Sequence, residues 1–204
     1  PQGLSFVEAA SLPMPGLSGL IAMHDLADIQ NGQRMLYHGG AGGVGTMSIQ
    51  LAKARGAYVI ATCSDSNTEF VRKLGADEVV NYNAVDFREV ASDIDVAVDP
   101  IGGDTNLRTF EVMKPGGKII VVLRNDPVEM EHRERLCQEH QVEVKILAFD
   151  TYPEGLDILR EQVEAGNIRP CVQHVYPLRD AQEAHKLIQA RHFAGRIVLD
   201  VTDA

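Results

Sequence analysis

The glycine run Gly39-Gly40-Ala41-Gly42-Gly43-Val44-Gly45 lies between the apolar stretch Met35-Leu36-Tyr37 and a helix-like stretch from Thr46 to Arg55. Strand, glycines and helix in that order constrain the chain more than any other feature. Gly40, Gly42 and Gly45 satisfy G-x-G-x-x-G, a pattern with a physical sense: a tight turn, a bare backbone that admits a pyrophosphate, and a glycine that lets helix pack on strand. The free N–H groups at the helix start then face the phosphates. An ordinary turn between a strand and a helix can also use glycines, so the surroundings must decide.

The surroundings repeat the same grammar. Phe6 to Leu12 and Leu17 to Ala27 have helical spacing, and Pro13, Pro15 and Gly16 predict a break between them. Arg34 to His38 reads as a short buried strand entering the glycines, and the helix after them stops at Gly56. Tyr58 to Thr62 is apolar and β-branched throughout, as a strand covered on both faces would be. A helix over Asn67 to Leu74, a strand over Glu78 to Asn81, a strand over Asp95 to Asp99 and a helix over Asn106 to Met113 follow. Lys114-Pro115-Gly116-Gly117 predicts a turn into the strand Lys118 to Leu123. Glu129 to Glu139 is a charged, solvated helix, and Val142 to Ile146 alternates with period two, as a strand at a sheet edge does. Helices at Glu154 to Ala165 and Ala181 to Ala190, with strands near Val172 to Tyr176 and Arg196 to Val201, complete the chain. Such alternation predicts an α/β fold, a Rossmann-type doubly wound parallel sheet with helices on both faces, in one domain over residues 1–204.

Composition narrows the function classes. The 204 residues suffice for a core without disulfides or metals, and 19 basic against 29 acidic residues leave a charge of −10, with no basic cluster for a nucleic acid or an anionic membrane. Cys63, Cys137 and Cys171 are odd in number and far apart, which fits a reducing compartment; the expectation is cytoplasmic. No apolar run approaches the roughly 20 residues that span a bilayer. Pro1 is no initiator, and the first residues read as the middle of something, which predicts a piece of a longer chain.

In a dinucleotide fold an acidic side chain at the end of the second strand, about 20 residues past the glycines, would bond the ribose 2′-OH of NAD. Here that strand ends Ala61-Thr62-Cys63-Ser64, which leans toward NADPH, although Asp65 follows at once. Ser64 also reads as an N-cap. No Tyr-x-x-x-Lys pair follows any tyrosine, and H-E-x-x-H, G-x-S-x-G and P-loop patterns are absent. His132, Cys137 and His140 do not share one helical face, so no metal site is expected there. Asp99 and Asp104 bracket a turn, and the expectation is capping.

Together these segments resemble the cofactor-binding part of the medium-chain dehydrogenase/reductases, in the zinc-independent quinone oxidoreductase and enoyl reductase branch. Phe6 to Pro13, Gly39 to Gly45, Leu74 to Tyr82, Val98-Asp99 with Gly102-Gly103, Lys114 to Gly117 and Ala194 to Leu199 carry the likeness. The resemblance implies that Gly40, Gly42, Gly43, Val44 and Gly45 cradle the pyrophosphate, and that Ser64, Asn67 and Tyr82 flank the adenosine phosphate. It implies that the nicotinamide lies near Ser18, Ile101 and Val122. Ser18 stands where the family usually has Thr, and Asn67 where many NADPH users carry Lys, which weakens the NADPH preference without reversing it. A catalytic domain should precede Pro1, with residues 1–16 and about 170–204 packing on it. No acid or base is assigned. The implied activity is hydride transfer from NADPH to a quinone or an electron-poor alkene, a small-molecule substrate. A non-catalytic nucleotide-binding sensor and an alcohol dehydrogenase cofactor domain are the alternatives. The strand near 142–147 is expected to pair with its twin in a homodimer.

Overall fold

The computed structural model describes residues 1–122, 127–148, 152, 154–190 and 193–202. Six strands form one parallel sheet: β1 (Arg34–Tyr37), β2 (Tyr58–Cys63), β3 (Glu78–Asn81), β4 (Ile94–Asp99), β5 (Met113–Val121) and β6 (Glu143–Ile146). Their spatial order is β3-β2-β1-β4-β5-β6, and all five pairings are parallel. The order reverses between β1 and β4, which places a crevice above the carboxyl ends of those two strands.

Side chains that alternate along a strand enter opposite layers. Met35, Tyr37, Val59, Ala61, Val96, Val98 and Ile120 pack into one, and Leu36, Ile60, Ala97 and Ile119 into the other. The first layer is closed by α2 (Pro13–Leu20), α3 (Gly43–Ala54) and α7 (Gly155–Glu164), the second by α5 (Gly103–Thr109) and α6 (Pro127–His140). Helices therefore cover both faces. The remaining helices are α1 (Phe6–Ala10), α4 (Thr68–Lys73) and α8 (Ala181–Ala190).

Four local readings change. Pro13, Pro15 and Gly16 do not break the chain but open α2, because a first turn has no acceptor to offer an N–H and loses nothing by proline. Ile21 to Leu26 then continues as one wider turn bonded five residues apart. α5 starts before Asn106, and Phe110 to Val112 form a tighter turn, so Met113 already pairs with Ile94 in β5. The predicted turn 114–117 is an outward loop with Gly116 at φ +83°, and pairing resumes at Lys118 against Val96. Leu123, the predicted last residue of that strand, lies outside the described residues.

β7 (Val172–Pro177) and β8 (Arg196–Asp200) do not join the main sheet; they form a separate parallel pair. Gln50 of α3 fixes the approach to this pair, its Nε2 donating to Arg169 O at 3.2 Å and its Oε1 accepting from Arg169 N at 3.0 Å. Apolar side chains stay open beside it, with Val175 48% and Ile188 46% exposed, and Phe6 at the other end of the chain is 95% exposed.

Candidate functional site

The glycine loop sits at the carboxyl end of β1 and each glycine answers a separate constraint. Gly39 has φ +67°, and its N–H donates to Thr62 Oγ1 at 3.1 Å. Gly40 N–H donates to Thr62 O at 2.8 Å, and a β-carbon at Gly40 would stand 3.0 Å from both Ala61 Cβ and Ile49 Cδ1. At Gly45 a β-carbon would stand 2.7 Å from Gly40 O, so helix and loop touch backbone to backbone. Gly42 is the N-cap of α3 and offers no side chain to cap it. The first helical bond runs from Thr46 N to Gly42 O, so the N–H groups of Gly43, Val44 and Gly45 are left to a ligand at the positive end of a 12-residue helix. That cradle, closed to a β-carbon and rich in donors, fits the diphosphate of a dinucleotide.

A cavity of about 610 Å³ opens beside the loop, large enough for the adenosine half of such a ligand. Gly42 and Ile101 line it at the loop end, and Ser64, Asn67 and Tyr82 at the end of β2 and β3. Asp86, Phe87 and Arg108 form its far wall. Asp65 turns away, its Oδ1 accepting from Asn81 Nδ2 at 3.3 Å, and lines a neighbouring groove. Ser64 begins a short turn without a side-chain cap; its Oγ instead accepts from Asn67 Nδ2 at 3.1 Å. On the far wall Asp86 receives Arg88 at 2.8 Å and also Arg108. Hydrogen bonds from the Arg88 side chain and backbone, reinforced by the Arg108 charge, hold the Asp86 carboxyl at about 2. Arg108 lies 5.5 Å over the Phe87 ring, and its Nε is buried without a partner among the described residues.

His38 links the loop to the second layer. Its Nε2 lies 3.0 Å from Thr109 Oγ1, whose own proton goes to Thr105 O at 2.7 Å; Nε2 is therefore the donor. Its Nδ1 then accepts from Thr62 Oγ1 at 3.5 Å, and that oxygen accepts from Gly39 N. Burial pushes His38 down to about 4, against the opposing pull of Asp99, so the ring is neutral at pH 7.

The loop after β4 is held from below. Asp99 is fully buried, and its Oδ1 accepts from Ile101 N at 2.8 Å and Gly102 N at 3.0 Å, the capping role expected of it. Its Oδ2 accepts from Asn106 Nδ2 at 2.7 Å, and Asn106 Oδ1 accepts from Arg133 Nε at 3.0 Å. A buried carboxylate is thus reached by a buried guanidinium through one amide.

Of the residues anticipated from the sequence, Gly42, Ser64, Asn67, Tyr82 and Ile101 meet at the cavity. Gly40, Gly43, Val44 and Gly45 build the cradle beside it. Ser18 is buried within α2, its Oγ donating to Met14 O at 2.9 Å, and it does not line the cavity. Val122 follows β5, its N–H donating to Asp99 O at 3.0 Å, and it does not line the cavity either. His38, Thr62, Asp86, Phe87 and Arg108 were not anticipated. Only the N-cap pattern Asp86-Phe87-Arg88, with Asp86 Oδ1 accepting from Arg88 N, left a local trace.

Comparison with known proteins places this geometry. The family model for zinc-binding dehydrogenase matches residues 74–199. The mouse protein named NAD(P)H oxidoreductase RTN4IP1, mitochondrial, is 31% identical over 98% of this chain and 57% of its own length. Among solved structures, the quinone oxidoreductase from Coxiella burnetii has a TM-score of 0.88 at 32% identity, over 98% of this chain and 62% of that one. Escherichia coli quinone oxidoreductase complexed with NADPH has a TM-score of 0.87 at 26% identity, over 98% and 67%. The CurK enoyl reductase has a TM-score of 0.84 at 27% identity, over 98% and 64%. The chain thus spans about three fifths of the length of the relatives it matches. With a six-stranded parallel sheet and a glycine cradle at its switch point, the chain belongs to the zinc-binding dehydrogenase family of the medium-chain dehydrogenase/reductases and covers its cofactor-binding half.

Proposed function

We propose that this chain is the NADP(H)-binding domain of an oxidoreductase that moves a hydride from NADPH to a quinone or an α,β-unsaturated carbonyl compound. One observation carries the reading: the donor-rich cradle opens into a cavity whose wall at the end of β2 is built from Ser64 and Asn67 rather than a carboxylate. An acid there would repel a 2′-phosphate, and Asp65 is engaged by Asn81 outside the cavity. The quinone oxidoreductases and the enoyl reductase among the structural relatives support the same class of acceptor.

The nicotinamide supplies the hydride when bound; the chain supplies position. The N–H groups of Gly43, Val44 and Gly45 and the α3 dipole hold the diphosphate, and Ser64, Asn67 and Tyr82 flank the adenosine phosphate. Asp99 fixes the Pro100 to Gly103 loop, so that Ile101 limits the cavity where the order of strands reverses. No acid or base is required of this chain, since the enolate or hydroquinone anion left by the transfer can take its proton from water.

The test is to follow NADPH consumption by the full-length protein with a simple quinone and with an enone. Turnover supports the proposal, whereas NADPH binding without turnover of either acceptor would assign a non-catalytic nucleotide-binding module. Bound zinc in the full-length protein, with alcohol oxidation, would assign an alcohol dehydrogenase instead. A homodimer through β6 belongs to the same proposal. β6 is one of the two edges of the sheet and Ile146 is 47% exposed, so its outer backbone groups suit a twin across a two-fold axis. A dimeric mass by light scattering is expected; a strict monomer contradicts it.

A further inference from the structure

Arg108 stands on the far wall of the cavity, one turn of α5 beyond Thr105, which lines the same space. Its donors are committed before any ligand arrives. Nη2 donates to Asp86, Nη1 reaches Asp104 Oδ2 at 3.3 Å, and Nε is buried without a partner among the described residues. One face of the guanidinium lies 5.5 Å from the centre of the Phe87 ring. That ring is itself buried and meets the His38 ring edge-on at 4.8 Å. What the group has left to offer the cavity is its other flat face.

Charge points the same way. The linked ion pairs around Arg108 set the carboxylates of Asp86, Asp104 and Glu111 against the guanidinium groups of Arg88 and Arg108. A phosphate brought to this cluster meets an excess of negative charge and gains little. The same cavity offers apolar side chains from Val85, Phe87, Ile101, Ile188 and Phe193. A flat, neutral, π-rich ring suits such a wall, because its face can lie on the guanidinium plane while its body leaves water.

We propose that Arg108 is the base-recognising residue of the nucleotide site, stacking its guanidinium plane on the adenine ring so that Phe87, Arg108 and the base form one pile. This rests on the nucleotide-binding reading above. Adenine is common to NADPH, NADH and ADP-ribose, so Arg108 strengthens all three alike. Its contribution is planarity rather than charge.

The test compares wild-type chain, Arg108→Lys and Arg108→Gln in titrations with NADPH, NADH and ADP-ribose, after thermal unfolding has shown each variant to be folded. Lys keeps the charge and loses the plane, whereas Gln keeps a planar amide and loses the charge. Lys is expected to raise every Kd by one common factor, about fivefold, and Gln to raise them by less. In competition with NADPH, adenosine monophosphate is expected to bind wild type more tightly than uridine monophosphate, and the ratio to fall toward one in the Lys variant. A merely structural role of Arg108 would leave that ratio unchanged. Such an unchanged ratio, unchanged Kd values, a loss confined to NADPH, or a loss in Gln as large as in Lys overturns the assignment while the cofactor reading stands. Failure of the wild type to bind any of the three dinucleotide-type ligands overturns the cofactor reading instead. Should the Gln variant not fold, Arg108→His, planar and neutral at pH 8, carries the same comparison.

Discussion

Gly45 and Gly40 approach so closely that even one methyl has no room: the nearest atom to a β-carbon at Gly45 is a backbone oxygen at 2.7 Å, which cannot rotate away. Gly45→Ala is therefore expected to destabilise the chain by about 1–3 kcal/mol, as overpacking does, and to weaken NADPH binding; urea unfolding and a fluorescence titration check both. His38 makes a pH prediction. Its folded value of about 4 lies below the ordinary 6.5, so the unfolded chain binds the extra proton between those values. The stability is whole above pH 6.5 and is lost as pH falls toward 4, by on the order of 3 kcal/mol. Unfolding curves of wild type and His38→Gln across that window should show the slope reduced in the variant; equal slopes contradict the assignment. At this scale the sequence was readable where a residue acts near its own motif. Ser64, Asn67 and Tyr82 follow the ends of β2 and β3, and a strand order alone brings them together. Arg108 and Phe87 were not readable, because they meet only after α5 and the segment following β3 fold against each other, and nothing local marks a pair 21 positions apart.

At the scale of elements, β4, α5 and α6 are tied by one buried chain of Asp99, Asn106 and Arg133. Replacing Asn106 by Leu leaves Asp99 Oδ2 buried without this donor. A loss of about 2–3 kcal/mol in urea unfolding is expected, together with weaker NADPH binding as the Pro100 to Gly103 loop loosens. An effect near zero would mean that Asp99 is satisfied without the amide. The strands β2, β3 and β4 were legible as elements because each is a compact apolar or β-branched run between turn residues. The start of α2 was not, because proline and glycine break a helix interior but suit its first turn, and periodicity alone does not reveal which position a proline holds. The separation of β7 and β8 from the main sheet was equally hidden, since local strand patterns carry no information about which sheet a strand joins.

For the molecule as a whole, the fold follows from repeated strand–helix units, whose right-handed crossovers leave few topologies open. The observed order β3-β2-β1-β4-β5-β6 puts the glycine cradle, the cavity and the loop after β4 on one edge. The exposed apolar side chains Phe6, Val175 and Ile188 lie on segments expected to pack against a further domain, and the chain spans 57% of the mouse relative's length. The central claim is that this edge holds NADP(H), and it is tested most directly by titrating the chain with NADPH and NADH under the same ionic conditions. The account predicts saturable binding of both, with the Kd for NADPH lower by about tenfold. Binding of neither nucleotide, or tighter binding of NADH, would contradict it.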